Sequence, residues 1–114
     1  MSDCIFCKII NGEIPCNKVY EDDKVLAFKD INPEAPIHIL LIPKIHIASI
    51  NDLNHQNSHL ISHIFLTIQN IAKELGIDES GYRVVTNTGK DGGQTVNHIH
   101  FHILAGRNLK WPPG

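Results

Sequence analysis

A chain of 114 residues, 42% hydrophobic and 19% charged, has the length for one hydrophobic core and the composition of an ordinary folded domain. A formal net charge of -2 with no lysine or arginine cluster argues against DNA or RNA as a partner. No apolar run approaches the ~20 residues that span a bilayer, so no membrane partner is expected either. The start Met1-Ser2-Asp3-Cys4 lacks the basic-then-apolar order of a signal peptide. Three cysteines, two of them in a C-x-x-C, do not make a disulfide framework, and the expected setting is the reducing cytoplasm.

In chain order, residues 6–11 suit a short helix stopped by Gly12 and Pro15. Residues 19–21 and 25–29 are short β-type runs around Asp22-Asp23-Lys24, which reads as a hairpin. Residues 38–42 form a strand ended by Pro43, and residues 82–86 and 98–103 complete five strands. Between them, residues 55–75 predict one long helix. Leu60, Ile61, Ile64, Phe65, Ile68, Ile71, Ala72 and Leu75 fall at three- and four-residue spacings, and Gly76 supplies the stop. His55, His59 and His63 lie opposite that stripe, on a face expected to be solvated. The expected fold is α+β, one domain over residues 1–114. It has a five-stranded antiparallel sheet, one long helix and a short N-terminal helix.

The chemistry concentrates in His98-Ile99-His100-Phe101-His102. On a strand, side chains two apart share a face. Three imidazoles therefore face one way, while Ile99, Phe101 and Ile103 pack against the long helix. Neutral imidazole is a nucleophile, a proton carrier and a metal ligand near pH 7; a merely histidine-rich solvent face is the bland alternative. Just upstream, Gly92-Gly93-Gln94-Thr95 offers backbone and side-chain donors that suit a phosphate, although such glycine pairs often only close a hairpin. Cys4-Ile5-Phe6-Cys7 supplies two of the four ligands a tetrahedral zinc needs, with a redox pair or plain burial left open by the spacing. Cys16 has no evident partner and reads as structural.

The run Gly92-Gly93-Gln94-Thr95-Val96-Asn97-His98-Ile99-His100-Phe101-His102-Ile103-Leu104, with Gly106-Arg107 and the tail Trp111-Pro112-Pro113-Gly114, resembles the histidine triad (HIT) family of nucleotide-binding proteins, Hint type. Asp30-Ile31-Asn32-Pro33-Glu34-Ala35-Pro36-Ile37-His38 and Ile42-Pro43-Lys44-Ile45-His46 look like its upstream motifs, and the tail favours the Hint branch over the diadenosine-polyphosphate hydrolases. Asn97 departs from the aromatic residue frequent at that place.

The resemblance implies a nucleoside phosphoramidase. It would cleave the P–N bond of purine nucleoside 5′-monophosphoramidates through a covalent nucleotidyl adduct on His100. It assigns His102 and Thr95 to the leaving-group side and His38 to support of the triad. Gly93, Gln94 and Thr95 would orient the α-phosphate. Phe6, Ile9, Phe28, Asp30, Ile31, Leu40 and Asn87, with His100 and His102, would form the nucleotide pocket. Asp30 has a rationale of its own, since a carboxylate accepts from both ribose hydroxyls; the alternative is a turn residue before Asn32-Pro33. The resemblance also implies a structural zinc on Cys4, Cys7, His46 and His98, no catalytic metal, and a twofold homodimer that joins two sheets and reaches across with the Trp111 arm. Two rival readings remain: a non-enzymatic nucleotide-binding module, and a zinc hydrolase with His98, His100 and His102 as ligands.

Overall fold

The computed structural model describes residues 3–114. The chain opens with helix α1 (Ile5–Ile10), whose N-cap Cys4 accepts through sulfur from the Cys7 backbone N–H. Strands β1 (Lys18–Glu21) and β2 (Val25–Lys29) follow as an antiparallel hairpin. Asp22 closes its turn, one carboxylate oxygen accepting from the N–H groups of Lys24 (2.8 Å) and Val25 (2.9 Å). Then come β3 (Ile37–Pro43), a single 3₁₀ turn (Ile50–Asp52), helix α2 (His59–Leu75), β4 (Arg83–Val85) and β5 (Phe101–Ala105). The five strands form one antiparallel sheet in the order β1-β2-β3-β5-β4.

Alternation along β2 and β3 splits the core in two. Val25, Ala27, Ile39 and Leu41 face α2 and join Leu60, Ile64, Ile68, Ile71, Ile99, Phe101 and Ile103 in one cluster. Leu26, Phe28, Leu40 and Ile42 face the other way and pack with Phe6 of α1. Each buried aliphatic side chain of α2 contributes about 1.5–3 kcal/mol, enough to hold the helix on the sheet. The second layer is thinner, because a six-residue helix covers only part of that face. The remainder is left for a cavity.

Two element starts differ from the sequence expectation by more than one residue. The long helix begins at His59 rather than at residue 55. Asn54 and Asn57 capture each other's backbone N–H groups through their side chains, and Asn54 also takes that of Gln56, so the chain turns before it can wind. Gly76 ends the helix in the left-handed conformation (φ +72°). The last strand begins at Phe101 rather than at His98. Its ladder with β3 ends at the Leu41–Phe101 pair, and beyond it Pro43 has no N–H to donate. The preceding segment instead pairs with the loop after β3, Ile99 N–H donating to Ile47 C=O at 2.6 Å. The alternation of faces survives without the ladder. His63 also leaves the solvated face assigned to it: its Nε2 meets an Asp22 carboxylate oxygen at 2.7 Å, tying α2 to the β1–β2 turn. His59 is exposed, and His55 lies in the turn before the helix.

Candidate active site

Beneath α1, between it and the histidine face of the sheet, lies a cavity of about 260 Å³. Phe6, Ile9, Phe28, Asp30, Ile31, Leu40, Thr95, His100 and His102 all line it, which brings nine of the residues singled out in the sequence into one space. Most of its lining is apolar, and the imidazoles of His100 and His102, Asp30 and Thr95 add polar groups. Ile5, Ile14, Pro15, Cys16, Lys29 and Val96 line it too and were not foreseen as pocket residues. Their only sequence signal is proximity to α1, to the triad or, for Lys29, to Phe28 and Asp30.

His100 is buried, with Phe6 edge-on to its ring at 5.1 Å. Its Nδ1–H donates to the His98 carbonyl at 2.7 Å. In the neutral ring this fixes the proton on Nδ1 and leaves the lone pair on Nε2.

His102 sits one step further along. Its Nδ1 lies 2.9 Å from His38 Nε2. His38 Nδ1 accepts from the Glu34 backbone N–H at 3.0 Å, and an amide can only donate. His38 therefore carries its proton on Nε2 and donates it to His102 Nδ1, which leaves the His102 proton on Nε2. Burial holds the His102 pKa down at about 4, helped by the neighbouring His100 and His38 and opposed by Asp30, so His102 on its own is neutral at pH 7. Asp30 divides its carboxylate: one oxygen accepts from Asn32 N–H at 2.8 Å, and the other lies 3.4 Å from His38 Nε2. The turn role and the pocket role coexist in one side chain.

The glycine loop is braced from within. Gly93 N–H bonds Lys90 C=O and Gln94 N–H bonds Gly89 C=O, both at 3.1 Å. Gln94 spends its amide on Ala48 C=O, Val96 C=O and Gly89 N–H. Asn87 donates to Gly92 C=O at 2.7 Å. These three residues shape the loop, while Thr95 is exposed and lines the cavity.

Behind His100 a second cluster forms from Cys4, Cys7, His46 and His98. His98 Nδ1 lies 3.4 Å from Cys4 Sγ, 3.6 Å from Cys7 Sγ and 3.2 Å from His46 Nδ1, and Cys7 Sγ is 3.3 Å from His46 Nδ1. The edges of a tetrahedron built on Zn–N and Zn–S bonds run about 3.3 Å between nitrogens and about 3.5 Å from nitrogen to sulfur. The four spacings match them. The ring chemistry agrees, because His98 Nε2–H donates to Pro43 C=O at 2.8 Å and so turns a bare Nδ1 toward the sulfurs. Burial lowers the His98 pKa to about 4, with His46 and His100 adding to it and the Pro43 bond opposing, which keeps the ring in its ligating form. Two cysteines and two histidines close such a site without a position for water.

Asp30, His38 and His102 also converge. The Glu34 amide on His38 Nδ1 reserves Nε2 for a proton, so that group is built for hydrogen bonding rather than for a cation. His98, His100 and His102 do not converge: His98 turns to the cysteines, His100 to a carbonyl and His102 to His38.

Residues 11–109 match the model of the HIT domain. The chain belongs to the HIT family. It is 54% identical to a HIT-like protein of Synechococcus elongatus, over 98% of this chain and 97% of that protein. It is 47% identical to a 14 kDa zinc-binding protein of Brassica juncea, over 98% of this chain and 100% of the relative. A HIT family hydrolase from Legionella pneumophila has the same fold, with a TM-score of 0.96 and 52% identity over 98% of this chain and 100% of that one. The five-stranded sheet with one long helix is thus the HIT arrangement, and the chain has the fold of HIT-family hydrolases.

Proposed function

We propose that residues 1–114 act as one HIT domain that hydrolyses the P–N bond of purine nucleoside 5′-monophosphoramidates through a nucleotidyl adduct on His100. The observation that carries this reading is the 2.7 Å bond from His100 Nδ1–H to the His98 carbonyl, which leaves Nε2 as a neutral nucleophile in the cavity wall. Phe6, Ile9, Phe28, Ile31 and Leu40 offer the base an apolar lining, and Asp30 keeps unshared lone pairs for the ribose hydroxyls. Thr95 meets the α-phosphate on a loop held in shape by Asn87, Gly93 and Gln94.

The Nε2 lone pair of His100 forms a bond to phosphorus as the P–N bond breaks. The departing nitrogen takes up one proton, whose delivery we assign to the His38–His102 pair. An anionic phosphate beside that pair favours its charged form and loads it with the proton. Water then cleaves the adduct, the nucleoside monophosphate leaves, and the proton lost by water returns to the pair.

A zinc ion held by Cys4, Cys7, His46 and His98 is structural in this reading: it ties α1 to the segment before β5 and takes part in no step. The spacings of the four ligand atoms support it, as does the zinc-binding relative. The setting is the cytoplasm, where the thiols stay reduced; among the described residues no helix is long and apolar enough to cross a membrane. The working form is a homodimer, supported by the open edge of β4 and by Trp111, which is 80% exposed on the C-terminal arm.

Adenosine 5′-phosphoramidate tests the reaction. Rapid quenching in base followed by peptide mass analysis should find one adenylyl group on His100, with AMP released in later turnovers. Label on another residue, or AMP formed with no labelled intermediate under single-turnover conditions, would remove the mechanism.

A further inference from the structure

We infer that Arg107, exposed and outside the cavity, is a positioning residue for His102, acting through Glu34 and His38; the inference rests on the leaving-group role given to His102 above. Three hydrogen bonds connect them. Arg107 Nη2–H donates to the Glu34 carbonyl at 2.9 Å, Glu34 N–H donates to His38 Nδ1 at 3.0 Å, and His38 Nε2–H donates to His102 Nδ1 at 2.9 Å. Each of the last two uses up a particular ring nitrogen. The proton of His102 sits on Nε2 because that of His38 sits on Nε2, and that of His38 sits there because the Glu34 amide points at Nδ1.

The turn that carries the amide is braced at its start, where Asp30 N–H reaches His38 C=O at 3.0 Å and Asn32 N–H reaches the Asp30 carboxylate at 2.8 Å, while its Glu34 end is held from outside. Residues 31–34 are all exposed, and Pro33 has no N–H with which to brace them. The outside support comes from the end of β5. Gly106 lies so close to Pro36 that a Cβ there would stand 2.8 Å from the proline ring, and its φ of +96° suits glycine alone. Arg107 follows and reaches back 73 positions in sequence to Glu34. Its guanidinium also touches Asn108 C=O through Nη1 at 3.3 Å, so the planar fork is held between two carbonyls in a way a lysine ammonium would not reproduce. Strand β5 thus carries His102, and the brace that sets which of its nitrogens bears hydrogen follows two residues past the strand's end.

The test uses the full chain with Arg107→Ala, Arg107→Lys and Arg107→Met, the last keeping the aliphatic stem should the alanine variant fold poorly. The first readout needs no substrate: ring ¹⁵N spectra of His38 and His102 at one neutral pH. Wild type should show both rings protonated at Nε2. Arg107→Ala and Arg107→Met should show averaged tautomers at His38 and His102 with His100 unchanged. The second readout is turnover of two adenosine phosphoramidates, one with an alkylamine and one with an arylamine leaving group. kcat for the alkylamine should fall roughly tenfold with KM within about twofold, the arylamine should fall less, and lysine should restore only part of the loss. Wild-type ring spectra in both donorless variants would overturn the inference, as would an equal loss for both leaving groups. A wild-type chain that turns over neither substrate would instead remove the role of His102, while the ring spectra would still decide whether Arg107 sets the tautomers.

Discussion

Two histidine clusters sit within one short stretch of this molecule, and they present opposite ring atoms inward. In the first, Pro43 C=O takes the Nε2–H of His98 and leaves a bare Nδ1 facing two thiols and His46. In the second, Glu34 N–H fills Nδ1 of His38 and leaves a proton on Nε2 facing His102. Both rings are buried. The side chains are the same, and a backbone partner on the far nitrogen decides whether the near one is a lone pair for a cation or a proton for a neighbour. His100 stands between them and draws on both, since the His98 carbonyl fixes its proton while His102 flanks its ring at 5.2 Å.

If the clusters divide this way, substitutions should separate chemistry from stability. The largest effect is expected at His100. Replacement by alanine should cut phosphoramidate turnover by about 10³-fold or more while nucleotide affinity, measured by calorimetry, stays near wild type. Activity within tenfold of wild type would end the covalent reading.

The reverse pattern belongs to the first cluster. Cys4→Ser with Cys7→Ser should empty the site of metal, from about one zinc per chain to none by elemental analysis, and lower unfolding free energy by on the order of several kcal/mol. Turnover per folded molecule should change far less. A double variant that melts with the wild type would show that the cluster holds nothing of structural weight.

Much of this was legible before any coordinates. The stripe on α2 (except Phe65 and Leu75, which are exposed), the two-faced runs of β2 and β3 and the alternation through residues 98–103 each follow from side-chain periodicity, a local property. The starts of α2 and β5 are not legible in periodicity because they depend on which backbone groups find partners: Asn54 and Asn57 capture N–H groups before α2, and the segment before β5 finds Ile47 rather than a strand. The convergence of Cys4, Cys7, His46 and His98 came from family resemblance and not from spacing. Periodicity carries no information about pairs such as Arg107 with Glu34 or His63 with Asp22, which the fold brings together from distant parts of the chain.

Smaller effects sharpen the second cluster. Asp30→Asn should weaken AMP more than 2′-deoxy-AMP, by a factor of about ten in their ratio, because a carboxylate facing two hydroxyls loses more when both are present. Equal weakening of the two ligands would take Asp30 out of the ribose site.

Acid should act through His102 with a defined sign. Its folded pKa lies near 4, below the usual 6.5, so the unfolded chain binds more protons between those values. The stability this neutral ring contributes is whole above pH 6.5 and is lost as pH falls toward 4. Denaturant midpoints of wild type should therefore drop more across that window than those of His102→Gln. Metal release in acid is common to both chains, so the difference isolates the ring. Parallel curves would show that His102 titrates freely.

The division between the clusters turns on proton positions, and those can be read directly. Long-range ¹H–¹⁵N spectra of the ring nitrogens at neutral pH, on zinc-loaded protein, report each tautomer. His98 should be protonated at Nε2 with Nδ1 bound to metal, His100 at Nδ1 with Nε2 bare, and His38 at Nε2. A His100 that carries its proton on Nε2, or a His38 protonated at Nδ1, would contradict the assignment of the two clusters.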